Sequence, residues 1–361
     1  MATRENGVGM NDIQLISVSL KLSEGSNREN VNQITQLVDH RENVRLLDVR
    51  FREKGNYTLI KLAGVPEDVF ALLMEMAEKA FSLIRFNEYS GDAAVVGIFS
   101  HLTVSPVRNI SLDECDELTR EFVQSYAQQF NAPCFFFPHH ISNSSQEEIF
   151  RRERKTLRAS VEKGEITVSY GSTGRMDEIG FTMVRVHKYI VYYSIVLESS
   201  KLEIAQNIAD ELGRQGRVIL DKNGLPKKDR EGNILRSKGR FATVDALAYS
   251  FGSGEQTQII FNLKDYENPT VIKLFNAAVD LCREELIEIV GSRFLNAIPF
   301  AVVSAAVSDV GKIQQKKALD VVQQIQFLRN YLKLDEVGEF LPEYHIIDFR
   351  FLPFPSPDSG A

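Results

Sequence analysis

Few residues in this chain have the type and spacing that chemistry needs. The adjacent pair His139-His140 follows Phe135-Phe136-Phe137-Pro138 and could take an anion or a metal. Neighbouring residues of an extended chain point in opposite directions, so one metal is not expected to hold both, and a solvated loop is the plainer reading. His101 and His187 each fall inside an apparent strand, where a histidine is more often a sheet-surface residue than a catalyst. Cys115, Cys134 and Cys282 are far apart and odd in number, which argues against a disulfide framework and against a zinc site. There is no HExxH, CxxC or nucleophile elbow. Phe251-Gly252-Ser253-Gly254 joins two strands without opening a helix, so it reads as a turn and not as a phosphate loop. Asp221-Lys222-Asn223-Gly224 likewise reads as a hairpin turn.

A better candidate is a surface. Strand alternation sets Ser19 and Lys21 opposite Val18, Leu20 and Leu22, and sets Asp48 and Arg50 opposite Leu47, Val49 and Phe51. If the two faces coincide, Lys21, Asp48 and Arg50 share one sheet surface; a solvated face with ion pairs is the competing account. A second charged region runs from Arg214 to Arg240, with nine Lys/Arg against three acids. It could hold a polyanionic ligand, but it lacks the interleaved aromatics of a single-strand nucleic-acid binder and reads first as an exposed hairpin insertion over 217–240.

These residues have to be positioned by a chain of 361 residues, 43% hydrophobic and 25% charged, with a net charge of −7. That length suggests two domains or a duplicated unit, and the composition is that of a globular protein. The longest apolar run, Ala297 to Val307, is about half the ~20 residues of a membrane span. The first ten residues have no apolar signal core. A cytoplasmic protein is expected, with neither a membrane nor a nucleic acid as partner.

Strands are expected at Ile13–Leu22, Val44–Phe51, Tyr57–Ala63 and Ala93–Val104, with helices at Asn27–Val38 and from Pro66. This strand-helix-strand-strand-helix-strand order fits a ferredoxin-like α+β sandwich. Ser111 and Glu114 form a capping box for a further helix, Cys134–Phe137 reads as a short buried strand, and Gln146–Lys163 reads as one charged surface helix. The order then partly repeats. It runs through a long strand Met183–Leu197, a helix capped by Ser200 and Glu203, paired strands Phe241–Ser250 and Gln256–Leu263, and a helix from Asn268-Pro269. The expectation is an α+β protein of two ferredoxin-like α/β-sandwich subdomains with a groove between them. Their boundaries are set at residues 10–178 and 179–350, and the Pro/Ser/Gly-rich tail, 351–361, is expected to be disordered.

The segment order and several short motifs resemble one family, the formiminotransferase domain of glutamate formimidoyltransferase and formimidoyltransferase-cyclodeaminase. Leu20-Lys21-Leu22-Ser23-Glu24-Gly25 is similar to its Pro-Asn-Phe-Ser-Glu-Gly, and Leu46-Leu47-Asp48-Val49 to its Leu-Leu-Asp-Val strand. Ile110 to Cys115 resembles a helix start, and Gly180 to Leu197 a strand with an Arg-Lys pair, here His187-Lys188. Asn262-Leu263-Lys264-Asp265-Tyr266-Glu267 is similar to its Asn-Leu-x-x-Tyr/Phe-Glu segment, and Val290-Gly291-Ser292 with Ile298-Pro299 to its Gly-Ser-Glu-x-x-Gly-x-x-Pro stretch. The resemblance spans Ser19 to Asp348.

The resemblance implies transfer of a formimino group from N-formimino-L-glutamate to tetrahydrofolate, with a histidine in His-Pro-Arg-x-Gly as general acid/base. Laid without gaps from Ile84 to Cys115, that motif keeps its glycine as Gly97 but puts Ala93 at the histidine, Ala94 at the proline and Val95 at the arginine. Loss of general acid–base catalysis costs typically ~10²–10⁴-fold. Lys21 replaces an asparagine, Arg50 an acid, Tyr57 an arginine, Ser194 an asparagine and Arg293 an acid, while Asn56 is kept. His101 lies eight residues after Ala93. In a continuous strand that is ~26 Å, too far to stand in for the histidine.

Carried over by the resemblance, the ligand-binding set is Lys21, Asp48, Arg50, Asn56, His187, Lys188 and Asn262, with no catalytic residue and no metal. Nothing covalently bound is expected; tetrahydrofolate or another folate is the implied ligand, a small anionic ligand the partner, and a homodimer the implied assembly. Three readings stand: a folate- or anion-binding pseudoenzyme, a transferase with a rebuilt site, and an interaction protein that keeps only the scaffold.

Overall fold

The computed structural model describes residues 12–140, 144–314 and 319–354. It divides into two compact units, the first ending at Lys188 and the second starting at Tyr189.

The first unit contains β1 (Leu15–Leu22), α1 (Arg28–Thr35), β2 (Val44–Arg52), β3 (Tyr57–Gly64), α2 (Pro66–Leu83), β4 (Phe99–Arg108) and α3 (Leu112–Phe130). It continues through β5 (Cys134–Phe137), α4 (Ser144–Arg151), α5 (Arg154–Glu162), α6 (Met176–Ile179) and β6 (Thr182–Val186). Among the described residues these strands form a six-stranded sheet in the order β2-β3-β1-β4-β6-β5. The first four are antiparallel neighbours in the ferredoxin-like arrangement, and β6 and β5 extend it in parallel.

Alternation decides the layering. Ile16, Val18, Leu20, Leu22, Ile60, Leu62, Leu102 and Val104 are all fully buried and meet Val69, Leu73 and Met76 of α2 and Phe122, Val123 and Tyr126 of α3. A bulge at Leu47 shifts the register of β2, so that Leu46 pairs with Leu62 on the core side while Asp48 pairs with Lys61 on the other. The capping box of Ser111 and Glu114 starts α3 as expected.

The second unit repeats the plan. β7 (Val191–Leu197), α7 (Leu202–Leu212), β8 (Val244–Phe251), β9 (Gln256–Leu263), α8 (Val271–Glu284) and β10 (Ile289–Phe294) form a sheet in the order β10-β7-β9-β8, followed by α9 (Phe300–Gln314) and α10 (Val321–Tyr331). Both halves therefore carry the same order of strands, and the duplication read from the sequence is present at the level of topology.

Several expectations are corrected. The long strand Met183–Leu197 is two strands: β6 completes the first sheet and β7 starts the second, so the unit boundary falls at 188, later than the expected 178. The expected helix Gln146–Lys163 breaks at Arg152-Glu153, because the Arg154 N–H leaves the helical ladder to donate to the Ala93 carbonyl at 2.8 Å. Ser200 does not cap α7; Lys201 holds that position without a side-chain bond. Thr270 caps α8. Of the expected disordered tail, residues 351–354 are described and Phe354 packs on Phe349 with ring centroids 5.1 Å apart; residues 355–361 lie outside the described residues.

The 217–240 region is an exposed double turn. Asp221 and Asp229 each accept two main-chain N–H groups, and Ile219, Lys227 and Leu235 bond to one another through the backbone. Two of its cations are neutralised at the base, Arg217 by Glu211 and Arg236 by Asp210, as is the preceding Arg214 by Asp245. No helix among the described residues is long and apolar enough to cross a membrane.

Candidate functional site

The face of the first sheet opposite α2 and α3 can be read from strand register. One row runs Arg50, Leu59, Lys21, His101, Met183, Phe135, and the next runs Asp48, Lys61, Ser19, Thr103, Arg185, Phe137. The coincidence of faces proposed for Lys21, Asp48 and Arg50 is therefore real. α4 and α5 cover only the far end of this face, where Leu157 and Phe150 pack with Phe135, Phe137 and Met183.

The remaining part is polar and cationic. Arg50 Nε donates to Asp48 Oδ2 at 2.5 Å. Burial lowers the pKa of Lys61 from 10.5 to about 8; the Arg50 charge adds to this and Asp48 opposes it. Lys21 is also lowered by burial, against the charge of Asp92, and its Nζ stands 4.5 Å above the Tyr57 ring. Arg185 stacks over Phe150 at 4.1 Å with Glu147 3.7 Å away.

Ala93 does not lie in a strand. Residues 93–94 form a turn closed by Asp92, whose Oδ1 accepts the Ala94 N–H at 2.9 Å and whose carbonyl accepts the Val95 N–H at 3.0 Å. The strand starts only at Phe99, so the long separation expected between Ala93 and His101 rests on an element that is not there. The turn is linked to His101 through Ser100, whose Oγ accepts the Val96 N–H at 2.9 Å and contacts His101 Nδ1 at 2.8 Å. The other ring nitrogen meets the Phe150 carbonyl at 3.3 Å. Burial, reinforced by Lys21, pushes this imidazole down to about 4. His101 is thus a neutral histidine with both nitrogens engaged.

The turn is held by main chain. Gly97 bridges Gly180, and a Cβ on Gly97 would stand 2.2 Å from the Phe181 carbonyl oxygen, so no side chain fits at this position. Arg154 lies over Tyr89 and Phe86 at 5.1 and 5.5 Å, beside a pocket of about 240 Å³ lined by these three with Arg158, Met176 and Phe181. That volume is below the ~300–1,000 Å³ of ordinary ligand sites, so it suits a small anionic group and not a whole folate.

The other expected site residues are dispersed. Asn56 is committed to the fold: its Oδ1 accepts from Gly25 N, Ser26 N and Ser26 Oγ at 2.9–3.1 Å. His187 is two residues beyond Arg185 at the end of β6, with Nδ1 2.5 Å from the Lys188 carbonyl and its pKa pushed down to about 4 by burial and Arg185. Lys188 is half-buried at the end of the first unit. Asn262 belongs to the second unit, on β9 between Asp245 and Tyr192. Lys61, Arg185 and Arg154 were missed. Alternation within β3 pointed to Lys61 and that of Met183–His187 to Arg185, but the Arg154–Ala93 bond leaves no trace in the sequence.

Two ferredoxin-like units, the first with a cationic sheet face and a glycine-locked turn, define an α+β protein of duplicated architecture. Residues 15–187 match the formiminotransferase domain, N-terminal subdomain, and residues 192–352 match the formiminotransferase domain. The chain belongs to the formiminotransferase family. It is 25% identical over 350 residues to the formimidoyltransferase-cyclodeaminase of Rattus norvegicus, covering 96% of this chain but 61% of that protein. It is 17% identical to the glutamate formimidoyltransferase of Thermoplasma acidophilum over 333 residues (91% of this chain, 95% of that one). The corresponding figures for the Streptococcus pyogenes serotype M1 enzyme are 20% over 324 residues, 86% and 96%.

Proposed function

We propose that this chain is an anion-binding member of the formiminotransferase family, with a folate as its ligand, that does not carry out ordinary formimino transfer from formiminoglutamate to tetrahydrofolate. The observation that carries this reading is the exposed Ala93 methyl on the turn where the resemblance sets the family's histidine, with His101 beyond it engaged at both nitrogens. Alanine offers no proton, and an imidazole held near 4 is a poor acid or base at neutral pH. Lys21, Arg50, Lys61 and Arg185 on two adjacent rows favour a carboxylate-bearing ligand. The buried free thiols of Cys115, Cys134 and Cys282 fit a cytoplasmic protein, and a homodimer is the expected assembly.

The test is a coupled assay with formiminoglutamate and tetrahydrofolate, run beside a thermal-shift titration with reduced folates. No turnover is expected, and a ligand at ~100 times its dissociation constant should add about 2.7 kcal/mol of stability. Turnover near ~10 s⁻¹ would overturn the reading. Ala93→His alone should not create activity, because Lys21 and Arg50 have also changed. A rebuilt-site transferase is the second reading, favoured by Lys61, whose pKa of about 8 suits a general base. Turnover abolished by Lys61→Met would establish it. A folate-silent chain with no turnover leaves the scaffold reading.

A further inference from the structure

The pair His139-His140 does not continue the extended strand that precedes it. The chain turns after Pro138, and the two rings lie 5.4 Å apart, centroid to centroid, and nearly perpendicular at 80°. Both lie by the N-terminal end of α3, which presents Asp113 and Asp116. The objection that adjacent residues point apart is removed by the turn.

We propose that Asp116, His139 and His140 form a binding site for a divalent first-row transition metal, for which Zn²⁺ is the representative ion. One ligand atom from each of the three lies within 4.8 Å of the others. The geometry around His139 is specific. Its Nε2 is 3.2 Å from Asp113 Oδ1. Its Nδ1 is buried, makes no hydrogen bond, and stands 3.6 Å from Asp116 Oδ1. A cation between this nitrogen and the Asp116 carboxylate oxygen would give both atoms a partner.

The spacing fits. Two ligands at ~2.0–2.2 Å from a tetrahedral Zn²⁺ are about 3.3–3.6 Å apart, which matches the 3.6 Å between His139 Nδ1 and Asp116 Oδ1. Asp116 is almost fully buried and oriented, since its Oδ1 also accepts the His139 N–H at 3.0 Å and its Oδ2 pairs with Arg120 at 3.1 Å. A carboxylate on the far nitrogen of a metal-ligating histidine, Asp113 here, is the recurrent partner that fixes tautomer and ring angle. Imidazole and carboxylate together select Zn²⁺ and its neighbours in the series over Mg²⁺ or Ca²⁺. Three protein ligands leave one position for water or a small anion. Such an ion would tie the end of β5 to the start of α3, away from the cationic sheet rows.

The full chain, stripped with a chelator and dialysed, is titrated with ZnCl₂ by calorimetry, and bound zinc is counted by elemental analysis. One Zn²⁺ per chain is expected, with Co²⁺ giving a visible ligand-field spectrum at the same stoichiometry. His140→Ala and Asp116→Asn should each lose tenfold or more in affinity and lose the Co²⁺ band, while Asp113→Asn should weaken binding by ~10–100-fold. His140 is exposed, so its variant folds; if Asp116→Asn does not, His140→Ala and Asp113→Asn carry the test. No zinc on the wild-type chain, or zinc retained unchanged by these variants, overturns the site.

Discussion

The two halves share one topology and differ in what their sheets carry opposite the helices. In the first, two adjacent rows hold Arg50, Lys21, His101, Asp48, Lys61 and Arg185. In the second, the corresponding rows hold Arg293, Ser194, Ile260 and Leu247, then Gly291, Val196, Gln258 and Tyr249. The helix-facing side is apolar in both, since that face sets the fold and tolerates little change. The opposite face is less uniform, apolar where α4 and α5 cover it and polar elsewhere in the first half. The difference teaches that the duplicated scaffold and the chemistry are separable, and that ionisable groups with shifted pKa values cluster on the sheet face of the first half.

The largest expected effect comes from Gly97→Val. Its side chain would collide with the Phe181 main chain on two atoms, the nitrogen at 2.7 Å as well as the oxygen. The loss should match or exceed the ~1–3 kcal/mol typical of overpacking and show as faster hydrogen exchange in the first sheet. Gly338→Ala in the second half, with nothing within 4 Å, is the matched control and should stay within about 0.5 kcal/mol. Equal effects would break the comparison.

Next comes pH. Unfolded imidazoles take up a proton near 6.5, whereas folded His101 and His187 do so only near about 4. The unfolded chain binds more protons in that interval, so stability is complete above pH 6.5 and is lost as pH falls toward 4, by an amount on the order of a few kcal/mol. Thermal melts of a His101→Asn/His187→Asn variant should show a flatter acid limb. Lys61 works in the opposite range. Its depressed pKa makes the wild type gain stability between pH 8 and 10.5, a gain Lys61→Met should remove while raising the melting temperature at pH 7.

Charge removal should separate the halves as ligand surfaces. Lys21→Asn and Lys61→Met should each weaken folate binding by ~10–150-fold, as expected for loss of a charged hydrogen bond of ~1.5–3 kcal/mol. Arg293→Gln on the second sheet should not; unchanged binding in the lysine variants sinks the cationic-face reading. The smallest effect is reserved for deleting Lys222–Asn233 and rejoining with a glycine turn. Closure entropy varies slowly with loop length, so the melting temperature should barely move. A large drop would mean that the exposed apolar residues of this insertion, such as Leu225 and Ile234, are covered by something the fold requires.

Which parts of this could be read from the sequence follows from the range of the forces involved. Strand alternation and the Ser111–Glu114 cap are local, and they placed Lys21, Asp48 and Arg50 on one face and α3 at its start. The bulge at Leu47, the parallel pairing of β6 with β4 and the bond from Arg154 to Ala93 depend on partners far along the chain. The last two explain why a long strand was expected where two separate sheets meet in sequence, and why Ala93 was set in a strand. Asn56 also has a structural duty that its sequence position does not announce. Its backbone is left-handed, with φ of 48°, and its amide oxygen closes a neighbouring loop, a conformational duty that looks the same in sequence as a ligand contact.

The turn at Ala93 keeps its shape through Asp92, Gly97 and the Arg154 N–H, and none of these bonds uses the Ala93 side chain. Position 93 is therefore an open socket. All three native cysteines are buried, with burial raising each thiol pKa, so they resist alkylation at neutral pH. An Ala93→Cys chain would carry one addressable thiol, and a fluorophore attached there would report directly on the occupant of the sheet face, whatever that occupant proves to be.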